Sequence, residues 1–540
     1  MDTESLDIRY ASRRSLMTDL RAVPDGSLDL IVLASEPLRD FRPYLDECVR
    51  ALRKGGLLFV QGTPERLPEV GVYLDGRLRF RFWIAVESAT RTSSGGLPSV
   101  HAGVLLFARG ETLNIHKMRS PHKVCRSCWK SLRDWGGKTQ LMHPEGTVVS
   151  DIWKDLPRAD NYSGLSQPVL DEILRLVDFP GPTIRGLVYR GGEPHRPEPI
   201  PVREPGDLLS NPIPGAMLDV VHQDDAVEVL RRYPDNSIDL AFADPPYNIN
   251  KEYGVHDDDW DSRRYLTWCE QWLSEYARVL KPTGSLYVLN LPRWAMHHAA
   301  FLNRKLSFRN WIVWDARSDP RGKLIPSHYS LLFYTKRPTG FTFNYDAVRT
   351  LDERNYCLRA SCVTRRKASG DDEKEDLTDI WWDIHRIRHR RDRDYHPCQL
   401  PDALLERIIR LSSNEGDIVL DALCGTGTTP VIAATLNRRY VGIDLDPGYV
   451  EISRRKLEVV ENAGALVRDS ISRPRRRFTK KELQMELCAL ADSLGRVPEP
   501  EDVERMSRYD LDAFLSVFPT WGKAVQAARL RIASETDRAR

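Results

Sequence analysis

The sequence predicts an α/β fold made of two similar units in succession, followed by a small all-α module. Short apolar runs such as Leu30-Ile31-Val32-Leu33 alternate with amphipathic segments such as residues 44–52. This alternation is typical of strands and helices around a mostly parallel sheet. The same series of landmarks occurs twice before residue 465, and the segment after residue 473 has a helical pattern throughout.

Composition restricts the classes of protein that fit this fold. At ~150 residues per domain, the 540 residues correspond to roughly three or four domains. The 79 Lys and Arg residues stand against 77 Asp and Glu residues, so the net charge of +2 does not by itself indicate a nucleic-acid partner. No apolar run reaches the ~18 residues of a membrane span, and the acidic start argues against a secretory signal. With nine cysteines, an odd number, we expect a reducing, cytoplasmic location and not a disulfide framework.

Paired landmarks relate the two units. Three pairs of segments correspond: Gly56-Leu57-Leu58 with Gly284-Ser285-Leu286, Phe82-Trp83-Ile84 with Asn310-Trp311-Ile312, and Asp151-Ile152-Trp153 with Asp379-Ile380-Trp381. All three pairs have one spacing, because 284 − 56, 311 − 83 and 381 − 153 each equal 228. A constant spacing indicates an internal duplication, and we expect the two units to be related by a pseudo-twofold axis.

The duplication predicts the domain boundaries. We expect a degenerate first unit over residues 1–192, a Pro-, Glu- and Arg-rich linker over residues 193–215, a complete second unit over residues 216–465 and the helical module over residues 473–540. The first unit has Ala34-Ser35-Glu36-Pro37 where the second has Asp244-Pro245-Pro246-Tyr247. The first unit has therefore kept its core pattern and lost the residues that would carry chemistry.

Asp244-Pro245-Pro246-Tyr247 is the first chemical motif. It follows the apolar run over residues 237–243, which we expect to be a buried strand. Two successive prolines end that strand, since they lack an N–H group and fix φ. An acid and an aromatic are thereby held at the carboxyl end of a strand, which is the edge where ligands bind in open α/β sheets.

A glycine-rich loop is the second motif. Asp421-Ala422-Leu423-Cys424-Gly425-Thr426-Gly427-Thr428 lies between an expected strand and a helix-like segment. Glycines in this context let the backbone approach a nucleoside closely. Asp444 follows Gly425 by 19 residues at the end of the next expected strand, where it can accept hydrogen bonds from both ribose hydroxyls. An ordinary tight turn is the alternative interpretation.

The two motifs resemble those of the amino-group DNA methyltransferases that use S-adenosylmethionine, which pair Asp-Pro-Pro-Tyr with an Asp-x-Phe-x-Gly-x-Gly-Thr cofactor loop. Their order over residues 217–457 resembles the β class of that family. The resemblance implies a cytoplasmic protein of the prokaryotic or phage type that is associated with the nucleoid. The resemblance implies two Rossmann-like methyltransferase units and catalytic roles for Asp244, Pro245, Pro246 and Tyr247. It also implies a set of cofactor-binding residues: Asp225, His396, Gln399, Asp421, Leu423, Gly425, Gly427, Thr428 and Asp444. The chain departs from the family at Leu423, where Phe is usual, and at Asp224, where Gly is common.

The chemistry of amine methylation agrees with this set. An exocyclic amine is a weak nucleophile because its lone pair is delocalised into the ring. The Asp244 carboxylate and the carbonyl of Pro245 or Pro246 can accept its hydrogens and raise its reactivity. Tyr247 can stack on a base flipped out of the duplex. Transfer is then an in-line displacement governed by positioning, with no metal needed.

Adenine N6 is the predicted target, because Asp-Pro-Pro-Tyr resembles the adenine-specific members of the family. Two alternatives stay open. One is methylation of cytosine N4, and the other is a non-catalytic DNA-binding scaffold of a restriction or defence system.

Basic residues between the two motifs predict a double-stranded DNA partner. We expect a target-recognition segment over residues 337–395. Its predicted phosphate-contacting residues are Arg365, Arg366, Lys367, Arg386, Arg388, Arg390 and Arg391. A solvated charged face is the alternative interpretation of these clusters.

Four cysteines occupy corresponding places in the two units: Cys125, Cys128, Cys357 and Cys362. Brought together across the pseudo-twofold axis, four thiolates would form a structural tetrahedral zinc site. Buried free thiols are the alternative, because Cys-x-x-Cys alone is common and the second pair is spaced more widely.

The C-terminal module has Leu483, Leu487 and Leu490 at helical spacing, with Gly495 and Pro498 as stop signals. It resembles the small helical repeat attached to homing endonucleases, which implies a DNA-binding accessory; a helical cap on the catalytic unit is the alternative. We interpret the first unit as an inactive partner fused in cis. The chain would then be a monomer that acts as an internal pseudo-dimer with one active site, with a restriction or defence protein as a further partner.

Overall fold

The structure is a computed structural model that divides into two compact units, Met1–Ala465 and Leu466–Arg540. The two methyltransferase-like units predicted from the sequence both belong to the larger compact unit, Met1–Ala465, and are called its first and second halves below. The residues described are 5–36, 38, 40–91, 95–132, 142–154, 156–157, 164–191, 209–250, 258–316, 322–348, 350–351, 356–357, 359–370, 374–384, 386, 399–463, 480–507, 509, 511–515, 518 and 520–528. Most of the predicted linker lies outside these ranges.

The first half of the larger unit is a sheet with helices packed on it. Its strands are β1 (Ser5–Tyr10), β2 (Leu28–Ala34), β3 (Leu52–Gly62), β4 (Arg79–Arg91), β5 (Ser99–Ala108), β6 (Arg119–Ser120), β7 (Thr147–Val148), β8 (Ile152–Trp153) and β9 (Thr183–Tyr189). Its helices are α1 (Leu16–Ala22), α2 (Arg42–Ala51), α3 (Leu67–Leu74) and α4 (Gln167–Leu176). β2 and β5 are buried at every position, as expected of continuous apolar runs in the middle of a sheet.

The second half repeats this construction. Its strands are β10 (Val220–Gln223), β11 (Ile238–Ala243), β12 (Leu280–Asn290), β13 (Ser307–Asp315), β14 (His328–Thr335), β15 (Thr350–Leu351), β16 (Lys374–Glu375), β17 (Ile380–Trp381), β18 (Ile418–Asp421) and β19 (Arg439–Asp444). Its helices are α5 (Ala226–Leu230), α6 (Ser262–Val279), α7 (Pro292–Leu302), α8 (Ala360–Ser369), α9 (Asp402–Ser412), α10 (Thr428–Thr435) and α11 (Pro447–Ala463). The predicted α/β class is confirmed.

The two sheets have corresponding orders of neighbours over six strands, from β9 to β8 in the first and from β18 to β17 in the second. The first is β1-β9-β2-β3-β5-β4-β8 and the second is β10-β19-β18-β11-β12-β14-β13-β17. In both sheets one strand, β5 or β14, is antiparallel to its two neighbours, while the other pairs are parallel. β1 and β10, the first strands of their halves, are the edge strands; β1 pairs directly with β9, whereas β19 lies between β10 and β18 and is the additional strand of the second sheet. β6 with β7, and β15 with β16, form separate two-stranded sheets.

Two tryptophans from the landmark segments join the halves. Trp83 on β4 and Trp311 on β13 are fully buried and stack with ring centroids 3.8 Å apart and 16° between the planes. Trp83 donates its indole N–H to His101 Nε2 at 3.1 Å, and Trp311 donates to His328 Nε2 at the same distance. Nδ1 of each histidine lies 3.2 Å from the carbonyl oxygen of the opposite tryptophan. The contacts of one half are therefore reproduced by the other.

Two aspartates make a similar exchange. Asp151 accepts from the backbone N–H groups of Ser327 and His328 at 2.8 and 3.1 Å, and Asp379 accepts from the Val100 N–H group at 2.8 Å. Burial raises the pKa of Asp151 to about 8, even though these N–H donors oppose the rise. Each half thus satisfies backbone donors of the other in a dry interior.

A third contact between the halves is ionic. Asp75, just after α3, lies 3.0 Å from His297 Nε2 and 3.4 Å from the Arg293 guanidinium, both on α7. Burial acts to raise the pKa of Asp75, but the hydrogen bond from His297 and the charge of Arg293 outweigh it and hold the pKa below its usual range.

The smaller compact unit, Leu466–Arg540, taken by itself, is a helical module. Its helices are α12 (Lys480–Leu494), α13 (Pro500–Met506), α14 (Leu511–Leu515) and α15 (Trp521–Ala527). Leu483, Leu487 and Leu490 form one buried face that packs with Val503 and Phe514. The predicted all-α character of this segment is confirmed. Among the described residues of the whole chain, the structure contains no helix with the length and apolar character needed to cross a membrane.

Candidate active site

The two chemical motifs lie side by side at one edge of the second sheet. β11, β18 and β19 are adjacent parallel strands, with Phe242 opposite Asp421 and Asp421 opposite Gly442. Their carboxyl ends lead respectively into Asp244-Pro245-Pro246-Tyr247 (the Asp244 corner), the glycine loop over residues 421–428 and Asp444. The edge at which ligands bind in such sheets therefore carries all three.

Hydrogen bonds fix the corner in place. The Tyr247 hydroxyl donates to Asp244 Oδ1 at 2.7 Å, and Tyr247 is only 3% exposed. Tyr265 on α6 donates its hydroxyl to the Pro246 carbonyl at 2.7 Å, and Trp294 on α7 donates its indole N–H to the Tyr247 carbonyl at 2.7 Å. Because two helices hold the backbone, the direction of the Asp244 side chain is preorganised.

A tight turn follows the corner. Asn248 and Asn250 have φ values of 53° and 59°, a left-handed conformation that Asn tolerates better than most residues. The buried Asp258 carboxylate accepts from the N–H groups of Asn248 and Ile249 at 2.6 and 3.1 Å. No pattern in the sequence distinguished Asp258 from the other acids near it.

The Tyr247 ring packs inside the protein. Its centroid lies 5.8 Å from that of Tyr329 on β14, with 60° between the planes. Arg386, from the predicted target-recognition segment, donates to the Tyr329 hydroxyl at 3.2 Å and lies 5.8 Å from the ring centroid. One arginine of the predicted DNA-binding set is thus placed beside the corner.

The glycine loop depends on backbone conformations that favour glycine. Gly425 and Gly427 have φ values of 50° and 80°. A Cβ atom on Gly427 would lie 2.0 Å from Ser453 Oγ and 2.6 Å from Ser453 Cβ on α11. The loop and α11 therefore approach more closely than any side chain would permit.

Asp421 anchors the beginning of this loop. Its Oδ1 accepts from the Leu423 N–H group at 3.1 Å and its Oδ2 accepts from the Thr429 hydroxyl at 2.6 Å. Burial raises the pKa of Asp421 to about 7 despite both donors. Its role in this structure is to hold the two ends of the loop together.

Asp444 and Asp225 lie further along the same edge. Asp444 accepts from the Gly425 N–H group at 2.8 Å through Oδ2 and from the Asp446 N–H group at 2.9 Å through Oδ1, and burial raises its pKa. Asp225 is exposed and caps α5 by accepting from the N–H groups of Val227 and Glu228. β10 leads directly to Asp225, and it pairs with β19 so that Gln223 lies opposite Asp444.

One buried hydroxyl links the corner to the loop. Tyr276 on α6 donates to the Phe242 carbonyl at 2.9 Å and accepts from the Ala422 N–H group at 2.7 Å. It is fully buried, which raises its pKa well above the usual value. The sequence analysis missed this residue, because its place on the apolar face of α6 distinguished it only as a core position.

The remaining predicted residues are divided between several places. His396, Arg388, Arg390 and Arg391 lie outside the described residues, whereas Gln399 lies shortly before α9. Arg365, Arg366 and Lys367 lie on α8. Arg366 is fully buried and its guanidinium lies 4.6 Å from the ring centroid of Tyr356, so its assignment as a phosphate contact is not supported by its position.

The four predicted cysteines come together. Their Sγ atoms all lie within 4.8 Å of one another, two from each half of the larger unit. At the place in the first sheet that corresponds to the corner, Ser35 donates its hydroxyl to the Gln61 carbonyl, and Glu36 accepts from the Thr63 N–H group. Those side chains connect β2 to β3.

Comparison with known proteins agrees with the geometry. The profile of a family described as DNA methylase matches residues 238–455, and that of the homing endonuclease associated repeat matches residues 478–531. The chain is 38% identical over 243 residues to the type II methyltransferase M.BamHI of Bacillus amyloliquefaciens, which is 44% of this chain and 56% of that protein. It is 33% identical over 256 residues to the DNA adenine methyltransferase YhdJ of Escherichia coli (strain K12), which is 46% of this chain and 84% of that protein.

Among solved structures, the M1.HpyAVI–SAM complex matches 44% of this chain and 98% of its own, with 20% identity and a TM-score of 0.31. The chain thus spans little more than half of M.BamHI but most of YhdJ. The predicted resemblance to DNA methyltransferases is confirmed over residues 238–455, and that of the C-terminal module to the homing endonuclease repeat is confirmed over residues 478–531. Because the chain is 33% identical to YhdJ over 84% of that protein and matches the DNA methylase profile, it belongs to the DNA methylase family.

Proposed function

We propose that the protein transfers a methyl group from S-adenosylmethionine to the N6 amine of adenine in double-stranded DNA. The observation that carries the proposal is the placement of the Asp244 corner and the glycine loop at the ends of neighbouring strands. The family supports methyl transfer to DNA, and the relative named as an adenine methyltransferase supports adenine as the target.

The residues around the glycine loop fit S-adenosylmethionine, which supplies a methyl group on a sulfonium when bound. The left-handed glycines let the loop turn tightly between β18 and α10, at the strand ends where a nucleoside would lie. A carboxylate has about four acceptor sites, so Asp444 can accept from ribose hydroxyls in addition to its two N–H donors. Asp225 lies exposed at the neighbouring strand end, where it would face the adenine of the cofactor.

Asp244 would prepare the amine for reaction. Its carboxylate accepts one N–H hydrogen of the base, which opposes delocalisation of the nitrogen lone pair into the ring. The Pro246 carbonyl already accepts from Tyr265, so the Pro245 carbonyl is the candidate for the second acceptor. After transfer the nitrogen loses a proton, and Asp244 Oδ1 or Oδ2 is the group positioned to take it.

Base binding would require Tyr247 to move. In this structure its hydroxyl occupies Asp244 Oδ1 and its ring is buried against Tyr329. We propose that a flipped base displaces the hydroxyl from Asp244 and stacks on the ring. Rotation of one side chain would therefore couple base entry to the exposure of the carboxylate.

The DNA would be held by two parts of the chain. Arg386 lies beside the corner, and Lys367 is exposed on α8; with Arg388, Arg390 and Arg391 they belong to the predicted target-recognition segment. The C-terminal module matches a repeat found with homing endonucleases, and we propose that it adds phosphate contacts. A restriction or defence partner is also proposed from the type II relative.

We propose further that the first half arose by duplication and serves as an inactive partner in cis. Three observations support this. The sheets share the order of six neighbouring strands, the tryptophan–histidine contacts are reciprocal, and the two halves pack as one compact unit. Since the first half lacks both motifs, one active site per chain is expected.

The test is transfer of tritium from labelled S-adenosylmethionine to duplex DNA, followed by analysis of the modified nucleosides. We expect N6-methyladenine with the intact protein and none with Asp244→Ala. Asp235→Asn is the matched control: Asp235 lies just before β11, whereas Asp244 follows it, and its carboxylate forms an ion pair with Arg278. N4-methylcytosine as the product would refute the choice of base. Absence of transfer on any DNA by the intact protein would favour the scaffold alternative.

A further inference from the structure

The sulfur atoms of the cysteine cluster (Cys125, Cys128, Cys357 and Cys362) have the spacing of metal ligands. Cys125 Sγ lies 3.8 Å from Cys362 Sγ, and Cys128 Sγ lies 3.6 Å from Cys357 Sγ. A tetrahedron with zinc–sulfur bonds of about 2.3 Å has sulfur atoms about 3.8 Å apart. All four atoms lie within 4.8 Å of one another, so they surround one point.

Disulfide bonds do not account for this arrangement. A disulfide has a sulfur–sulfur distance of about 2.0 Å, and the observed distances are well beyond it. Two separate disulfides would also give no reason for all four sulfur atoms to converge. The cluster is part of a buried group in which Cys125, Cys357 and Cys362 are at most 5% exposed.

The first pair lies in a tight hairpin. The Cys125 N–H group donates to the Lys130 carbonyl and the Trp129 N–H group donates to the Cys125 carbonyl, both at 2.8 Å. Leu132 closes the hairpin by donating to the Lys123 carbonyl at 2.8 Å. This turn presents the thiols of Cys125 and Cys128 on the same side, as the short loops of structural zinc sites do.

The second pair comes from the start of α8 in the other half. Cys357 precedes the helix and Cys362 lies in its first turn. Four residues separate the two cysteines, which is within the usual range for zinc ligands. The Cys357 N–H group points at Cys125 Sγ at 3.3 Å. An N–H donor to sulfur stabilises a thiolate, and such outer contacts accompany metal ligands.

Arginines from α8 and its N-cap hold the two segments together. Arg359 donates to the Ser131 carbonyl and Arg365 donates to the Ser127 carbonyl, each at 2.8 Å. Arg366 is fully buried, and its guanidinium donates to the carbonyl of Cys357 at 3.4 Å. A buried cation is costly unless negative charge lies near, and four thiolates around a divalent ion carry a net charge of −2.

We propose that Cys125, Cys128, Cys357 and Cys362 bind one structural Zn²⁺ ion that fastens the two halves of the larger unit to each other. Four thiolates leave no open position for substrate, which is the ligand set of a structural and not a catalytic zinc site. Each half supplies two ligands, so neither half alone has a complete site. The ion therefore links segments that lie 229 to 237 residues apart in the chain.

Metal analysis of the full-length reduced protein tests the proposal. We expect about one zinc ion per chain, and substitution of Co²⁺ should give the visible absorption of a tetrahedral tetrathiolate site. Cys125→Ser and Cys357→Ser, one ligand from each half, should each lose the ion. Cys488→Ser is the matched control, since it removes a partly exposed thiol of the other compact unit; it should retain full zinc content.

Two further measurements separate metal loss from misfolding. Cys128→His replaces the least buried thiol with another zinc ligand and should retain the ion, whereas Cys128→Ala should not. Removal of zinc from the wild-type chain with a chelator should increase hydrogen exchange in residues 123–132 and 356–370 and leave exchange around Trp83 and Trp311 unchanged. Reduced protein that neither contains zinc nor takes it up on addition would overturn the proposal. Isolation of iron in place of zinc, or of two intact disulfides between the halves, would overturn it as well.

Discussion

Gly427→Ala should disrupt the cofactor loop, and Gly416→Ala provides an unusually close control. Both glycines are left-handed, with φ values of 80° and 83°. They differ in what surrounds them. A Cβ atom on Gly427 would lie 2.0, 2.6 and 3.0 Å from the Oγ, Cβ and Cα atoms of Ser453, whereas one on Gly416 would have nothing within 4 Å.

The difference between the two variants can be estimated. A left-handed alanine costs about 1–2 kcal/mol at either position. Gly427→Ala adds a steric cost of about 1–3 kcal/mol, because the hydroxyl of Ser453 can rotate away but its Cβ and Cα atoms cannot move without α11. The total is about 2–5 kcal/mol for Gly427 against about 1–2 kcal/mol for Gly416.

Binding of S-adenosylmethionine, measured by isothermal titration calorimetry, is the assay. The Gly425 N–H group that donates to Asp444 lies in the same loop, so displacement of the loop should weaken binding. We expect at least about a tenfold rise in Kd for Gly427→Ala, equivalent to about 1.4 kcal/mol, and little change for Gly416→Ala. Ser453→Gly in the Gly427→Ala background removes the two closest atoms and should restore part of the affinity. Equal effects of the two single variants would refute the reasoning.

Three other outcomes are expected. Tyr247→Ala should lower kcat/KM for DNA about 5- to 150-fold through lost stacking. Tyr247→Phe removes the hydrogen bond to the Asp244 carboxylate but keeps the ring, so it should retain most activity; equal losses would exclude stacking as the main role. Trp83→Phe and Trp311→Phe should each lower the free energy of unfolding, measured with urea, by about 1–3 kcal/mol. The two losses should be similar because the contacts are reciprocal; a large difference between them would show that the two tryptophans are not equivalent. Asp75 has a lowered pKa in the folded state, so its stabilisation is present above its unfolded pKa of about 3.9 and is lost as pH falls through the folded pKa. The urea midpoint of Asp75→Asn should therefore lie below that of wild type at neutral pH, and the two midpoints should converge in acid. A difference that stays constant with pH would show that the charge of Asp75 does not cause the loss of stability.

The sequence contained enough information to place the two motifs together. A strand that ends at Ala243 and another that ends at Asp421 predict a common edge once both are parallel members of one sheet, and the structure pairs them directly. The contacts that make the edge rigid were not predictable in this way. Tyr276 and Asp258 act through partners that are distant in the chain or on a turn, and local patterns do not specify such contacts.

Arg366 shows why charge alone is a weak guide to an interface. The cluster Arg365-Arg366-Lys367 reads as one basic run, but a helix turns successive residues by 100° or so and separates them onto different faces. Arg366 follows Cys362 by four residues on α8, so both lie on the same face. The buried thiol thus indicates that the guanidinium is directed inward, where it packs on Tyr356.

If the halves arose by the proposed duplication, residues that stabilise both halves and residues that catalyse would have been retained differently in the first half. The stacked tryptophans and their histidines bury large side chains with their polar atoms paired, and they stabilise both halves at once. The catalytic edge instead keeps a buried carboxylate at Asp421 with a raised pKa, which costs stability. A first half that does not catalyse can have Ser35 and Glu36 in place of the corner, where their side chains connect β2 to β3. Loss of the tryptophan–histidine contacts between the halves would instead destabilise the active copy as well. On this proposal the contacts between the halves would be retained in both copies because both depend on them, whereas the catalytic residues would be retained in the second copy alone.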